Sequence, residues 1–387
     1  MAETNNKDAM FSLIRNAIDS TALPDNLNIY VKELYALSKK HDLAHIVFDA
    51  AIRNRLITKD NEYYDKLSKT IMVAISRYQQ QNYQLIRIKE CFQKNSIVFV
   101  PLKGSIIRDY YPQPWMRTSC DIDILIHEED SKRASEALLS IGFTTDGIRD
   151  YNEISFFFGN VHLELHFNIC EANKRLDVVL SKVWNYVEQY NEFEYRQTNS
   201  FFLFYHIAHM VYHFLFGGCG IRPFLDLWIL RQKYDFDEAE LLELLNKSHL
   251  VSFYNNACLL SEIWFSGKEH TEITLRMERY IIDGGTYGNS ENRAASGVAS
   301  HKGSKTKYKL SIAFPPYVDM CNWYPSLKKH KILLPFCYIH RFFSKVFGKK
   351  SKSVRKRSKS IDNCSKDKVD ELTLLLNDLE LNLQSKS

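Results

Sequence analysis

The sequence has no Cys-x-x-Cys pair, no apolar core behind a basic N-terminal stretch and no apolar run of membrane-spanning length. Each absence removes a class of protein. The eight cysteines stand singly between Cys91 and Cys364, a spacing that disfavours a zinc ribbon or a disulfide framework and fits a reducing cytoplasm. The first seven residues, Met1 to Lys7, offer no apolar region behind a basic one, so no secretory signal is expected. The longest apolar run, residues 201–216, is short for a span and carries His206, His209 and His213. It reads as a buried helix. With only 14 Gly and 9 Pro in 387 residues, collagen-like and low-complexity architectures are excluded. What is present, 25% charged and 13% aromatic residues at a net charge of +5, is globular. The length suggests roughly two or three domains.

Leu43, Ile46, Val47, Ala50 and Ala51 recur at helical spacing. Leu67, Ile71, Ile75, Tyr78, Leu85, Ile88 and Phe92 continue the pattern as one long helix or two broken ones. Residues 1–95 are therefore expected to form an N-terminal helical region. At Ile97-Val98-Phe99-Val100 the texture changes to that of a buried strand. A turn at Lys103-Gly104-Ser105 leads into a short helix, and residues 120–126 form a second strand. A helix over 130–141 stops at Gly142, and the strands 153–158 and 161–167 are joined by a Gly159-Asn160 turn. Residues 96–170 thus read as one small unit of mixed strands and helices, and the chain as an α+β protein. Residues 171–345 are expected to be helical apart from a mobile loop at 284–307, rich in Gly, Ser, Asn and Lys. Residues 346–387 read as a basic linker with a short terminal helix at Leu372, Leu375, Leu376 and Leu379.

The chemistry concentrates in the middle unit. Side chains alternate along a strand, so Asp121 and Asp123 share one face while Ile122 and Ile124 take the other. Two carboxylates on one face repel each other, and a divalent cation resolves the conflict. Mg²⁺ prefers carboxylate oxygens with substrate phosphates, and two such ions about 3.5–4 Å apart clamp an in-line displacement at phosphorus. In the same way His162, Glu164 and His166 share one face of the later strand. If that strand lies beside the Asp121 strand, Glu164 is the third acid, able to bind metal and polarise an attacking hydroxyl. Gly104-Ser105 supplies a phosphate-binding turn, with Lys103 beside it. Arg108 and Arg117 are candidates to contact departing pyrophosphate.

Together these features resemble the nucleotidyltransferase superfamily that shares its fold with DNA polymerase β. Leu102-Lys103-Gly104, Tyr111-Pro112, Arg117, Asp121-Ile122-Asp123, Gly142-Phe143 and Glu164-Leu165-His166 are similar to the pattern of the bacterial uncharacterised nucleotidyltransferase family. Flanking matches include His41, His209, His213, Gly220, Arg222 and Asp226-Leu227, then Tyr287-Gly288, Phe314-Pro315-Pro316 and Leu334-Pro335. The resemblance covers most of residues 30–345. It implies a polymerase β-like core flanked by helices, and transfer of a nucleoside monophosphate from an NTP with release of pyrophosphate. It also implies Asp121, Asp123 and Glu164 as ligands of Mg²⁺ or Mn²⁺, and Gly104-Ser105 as the phosphate turn. The acceptor, whether a small molecule, sugar, peptide or protein, stays open.

Blander readings stand beside these. His162, Glu164 and His166 could hold zinc, or the histidines could merely orient the acid. His206, His209 and His213 fall on one helical face, as either a buried polar seam or a wall of the substrate cleft. Lys103 is either a nucleotide contact or an ordinary surface lysine. Between Ser344 and Ser360 lie eight Lys/Arg and no acid. Without interleaved aromatics this run reads first as a solvated, partly disordered linker rather than a nucleic-acid site, with weak membrane-surface contact as the minority reading. The alternative to an enzyme is a catalytically silent nucleotide-binding or interaction module.

Overall fold

The computed structural model describes residues 2–147, 152–171, 173–347 and 351–381. Four helices come first: α1 (Ala2–Asp19), α2 (Val31–Lys40), α3 (Ala44–Arg53) and the 31-residue α4 (Tyr64–Lys94). α4 is one unbroken helix. Its C-terminal half presents Leu85, Ile88 and Phe92 to a sheet, which supplies the packing energy that a long amphipathic helix needs.

The sheet has the order β1-β2-β4-β3, from β1 (Phe99–Pro101), β2 (Asp121–Ile126), β3 (Glu153–Phe158) and β4 (Val161–His166). A single turn of helix, α5 (Gly104–Ile107), follows β1, and α6 (Ser131–Ser140) follows β2. β1 runs antiparallel to β2, β2 parallel to β4, and β3 with β4 is an antiparallel hairpin closed at Gly159. Alternation decides the two faces. Phe99, Ile122, Ile124, Ile126, Leu163 and Leu165 are buried with Phe92 of α4 and Leu138 of α6 in one core. Each such side chain contributes roughly 1.5–3 kcal/mol by leaving water. Val100 and Leu125 point the other way, into a larger core shared with the flanking helices. The polar part of that second face carries the site.

After α7 (Lys174–Leu180) the chain makes a short hairpin, β5 (Val187–Gln189) and β6 (Tyr195–Gln197), where helix was expected. The local signal lies in the turn: Asn191 accepts from the backbone N–H groups of Phe193 and Glu194, an Asx-type closure that competes with helix. The hairpin also lends Phe193 O to Phe99 N of β1 at 3.0 Å. Next come α8 (Asn199–Leu215), α9 (Arg222–Lys233), α10 (Glu238–Lys247), α11 (Val251–Ser266) and α12 (Glu272–Gly284). α8 contains the apolar run read as a buried helix, and twelve of its residues are buried. No described helix is long and apolar enough to cross a membrane. All eight cysteines are free thiols.

Two later expectations are corrected. The segment 284–307 is mostly ordered helix: α13 (Ser290–Ser300) is capped by Asn289, and α14 (Lys305–Ala313) begins at 305. Its Ser, Ala and Gly content reflects close packing, with Ala294, Ala295 and Val298 buried beside Val369 and Leu372 of the terminal helix α18 (Lys366–Asp378). After α15 (Tyr317–Trp323) and α16 (Leu334–Phe347), the basic stretch forms a helix of its own, α17 (Ser351–Asn363), while Lys349 and Lys350 lie outside the described residues. Ile361, at the end of that helix, and Cys364 just beyond it are buried, which anchors a run whose composition alone suggests a linker.

The turns 217–220 and 284–288 meet backbone to backbone. Gly288 has φ +69°, and a Cβ there would lie 2.7 Å from the carbonyl carbon of Gly217. Gly288→Ala is therefore expected to cost about 2–3 kcal/mol in urea denaturation. Gly159→Ala has φ +57° but open space around the added methyl, and should cost only about 1 kcal/mol.

Candidate active site

The register of the two parallel strands sets Asp121 opposite His162, Asp123 opposite Glu164 and Leu125 opposite His166. With a side-chain period of two, Asp121 and Asp123 share a face with His162, Glu164 and His166. Ligand atoms of Asp121, His162 and Glu164 lie within 4.8 Å of one another, as do those of Asp123, Glu164 and His166. The structure thus brings together the three acids singled out in the sequence, although they lie up to 43 residues apart.

The electrostatics of this cluster are compatible with a cation site. Burial, together with the charges of Asp123, Asp121 and Glu153, pushes the Glu164 carboxyl up to about 8. Burial and the neighbouring Asp123 also raise Asp121. Asp123 is 5% exposed, yet against the effect of burial Lys103 and His166 hold it well below the usual carboxylate range. Carboxylate oxygens crowded in this way are a donor set that a divalent cation fits, because the ion cancels the repulsion that burial magnifies. The histidines already have oxygen partners. His166 Nε2 lies 3.0 Å from Asp123 Oδ1 and its Nδ1 3.2 Å from Glu153 Oε2, while His162 Nε2 lies 3.1 Å from Ser155 Oγ. This favours orientation of the acids over a zinc set.

Lys103 is no ordinary surface residue. Its backbone has φ +41° and ψ −114°, a conformation that costs a side-chain-bearing residue roughly 1–3 kcal/mol. Hydrogen bonds on both sides hold it: Leu102 N donates to Asp123 O, and Ile106 N and Ile107 N donate to Lys103 O, each at 3.0 Å. The strained turn sends Nζ to 3.9 Å from Asp123 Oδ1 and 5.3 Å from the Tyr205 ring centre. Despite burial, the neighbouring Tyr205 hydroxyl and the charges of Asp123 and Glu171 raise the ammonium well above its ordinary value. Gly104 and Ser105 follow, both buried at the start of α5. A Cβ on Gly104 would come within 3.2 Å of Ser119 Cβ.

The two arginines lie behind this turn rather than in front of it. Arg108 donates through Nε to Gly104 O and through Nη2 to Ser119 Oγ, both at 2.9 Å. Arg117 donates through Nε to both oxygens of Asp226, at 2.9 and 3.0 Å, and through Nη1 to Thr118 O. Both are nine-tenths or more buried. The donors described are turned toward protein oxygens rather than toward the three acids, so the two side chains brace the turn from behind. Asp226 pairs with Arg117, whereas Arg222 bonds Asp42 at 2.6 Å.

Other groups complete the surroundings. The histidine row of α8 divides. His206 Nε2 lies 2.8 Å from Pro223 O and belongs to a buried seam, whereas His209 bonds Glu171 at 2.7 Å and His213 at 3.0 Å. Burial first, and then His209, push His213 down to about 3, so it is neutral. Glu171 was missed in the sequence because it stands alone after β4; its partner lies 38 residues away. Tyr287, on the 284–288 turn, sets its hydroxyl 3.3 Å from Sγ of the exposed Cys120, next to Asp121.

Neither a curated protein nor a solved structure matches the chain. A family model does, over residues 28–266, more than half of the sequence. That span contains the sheet, the three acids, Lys103 and the α8 histidines, while Tyr287 and everything after it lie outside. By that match the chain belongs to the uncharacterised nucleotidyltransferase family.

Proposed function

We propose that this protein is a divalent-metal-dependent nucleotidyltransferase with a polymerase β-like core. It would move a nucleoside monophosphate from an NTP to a hydroxyl-bearing small molecule or protein. The observation that carries this reading is the convergence of Asp121, Asp123 and Glu164 on one face of two adjacent parallel strands. In it, these acids hold Mg²⁺ or Mn²⁺, which supplies charge neutralisation on the triphosphate and acidification of the acceptor hydroxyl.

The chain's own groups do the rest. Gly104 and Ser105 take the triphosphate at the turn, and Lys103 keeps a positive charge at the edge of the acids. Arg108 and Arg117 fix the turn from behind. His166, held between Asp123 and Glu153, sets the orientation of Asp123. The acceptor oxygen bonds to the α-phosphorus as the bond from that phosphorus to its bridging oxygen breaks. The electron pair leaves with pyrophosphate, and the hydroxyl proton passes to Glu164. Rate enhancement comes from positioning and charge neutralisation.

The test uses the full chain with each of the four labelled NTPs, Mg²⁺ or Mn²⁺, and a panel of sugar, nucleoside and protein acceptors. Pyrophosphate release that stops with EDTA and returns with metal is the expected result. Nucleotide binding without turnover for any metal and acceptor would instead identify a silent module of the same fold.

A further inference from the structure

We propose that the outer face of α16, with the cationic residues around it, docks on an anionic phospholipid bilayer. Phe336, Ile339 and Phe343 fall at i, i+3 and i+7, one stripe of a helix, and are 68%, 55% and 54% exposed. Phe342 beside them and Ile332 in the preceding turn are 59% and 82% exposed. The inner side of the same helix is already satisfied, since Leu334, Cys337 and Tyr338 pack on Met320, Cys321 and Leu327. The outer stripe is therefore an apolar surface that stays exposed to solvent beside that core. It borders a groove of about 430 Å³ shared with Phe314.

Charge identifies the occupant. Residues 320–361 contain twelve Lys or Arg and no Asp or Glu, in a chain whose net charge is +5, so the remainder is net negative. Lys328, Lys329 and Lys331 are exposed on the approach to α16, and Lys352, Arg355, Lys356 and Lys359 are exposed on α17, which packs against it. An aromatic and aliphatic centre with a cationic rim matches the acyl boundary and anionic headgroups of a bilayer, and the two signals together hold a protein there. Pairing with a second copy would press two strongly cationic rims together. Nucleic acid would leave Ile332 and Ile339 against phosphate. As no described helix can cross a bilayer, the contact lies on the surface.

Full-length protein is sedimented with phosphatidylcholine vesicles, either pure or containing about one third phosphatidylglycerol. Binding to the anionic vesicles is expected to be at least about tenfold stronger than to neutral ones and to weaken in high salt. Phe336→Ser/Phe343→Ser and Lys352→Glu/Lys356→Glu should each cut it about tenfold while the melting temperature holds. No sedimentation, equal binding to both vesicles, or binding untouched by either double substitution overturns the proposal. So does a preference for RNA over vesicles, or dimerisation that the Phe substitutions abolish without any vesicle binding.

Discussion

Asp121→Asn is expected to lower pyrophosphate release by a factor of about 10³ or more, equivalent to about 4 kcal/mol of transition-state stabilisation, while leaving the fold as stable as before or more so. The two effects have one cause. Asp121 is raised by burial and by the charge of Asp123, so removing its charge relieves a repulsion in the metal-free protein and, in the proposed function, deletes a metal ligand. Opposite signs for stability and activity mark a residue kept for chemistry at a cost to folding. Turnover with Mn²⁺, metal binding by calorimetry and urea denaturation measure the three quantities. A rate within threefold of the parent would remove Asp121 from the site.

Asp226→Ala should be the most destabilising single change, at about 3–5 kcal/mol. Asp226 is fully buried and accepts from Arg117 Nε and from Tyr111 Oη at 2.7 Å. Its loss strands a buried guanidinium and a buried phenol. Activity should fall as well, because a Cβ placed on Gly104 would stand only 3.4 Å from Arg117 Nη1, so movement of that arginine reaches the turn. A pH signature separates this from simple cavity formation. Against the effect of burial, Arg117 leads the charges that hold Asp226 below the usual carboxylate range. A carboxyl lowered on folding stabilises fully above its unfolded value of about 3.9 and loses that contribution as pH falls toward its folded value. The parent should therefore lose stability on acidification below about pH 5 more steeply than the variant. Denaturation midpoints between pH 7 and pH 3 test this, and a loss under about 1 kcal/mol at pH 7 contradicts it.

The strands were legible because their signal is local. The alternation in 121–126 and 161–167 assigned Asp121, Asp123 and Glu164 to polar faces, and Gly159 marked the hairpin. That the two strands are neighbours is a tertiary fact, which the sequence could only make conditional. Other features depend on direction rather than pattern. Arg108 and Arg117 have the right type and spacing for anion binding, but their orientation is set by Ser119 and Asp226, the latter more than a hundred residues away. The strained backbone of Lys103 leaves no trace in residue type, because glycine would be the usual choice for that conformation. Two of the misread segments share one cause: α13 and α17 are poor helices by composition and form because they pack against the rest of the chain.

The meeting of the 217–220 and 284–288 turns bears on any attempt to trim the protein. A clone cut at residue 266, where the family match stops, would keep every acid of the site but lose Tyr287 from beside Cys120 and expose Gly217 to solvent. Boundaries drawn by homology would thus pass through a seam that the molecule closes with bare backbone, and a minimal catalytic fragment should extend at least through α13.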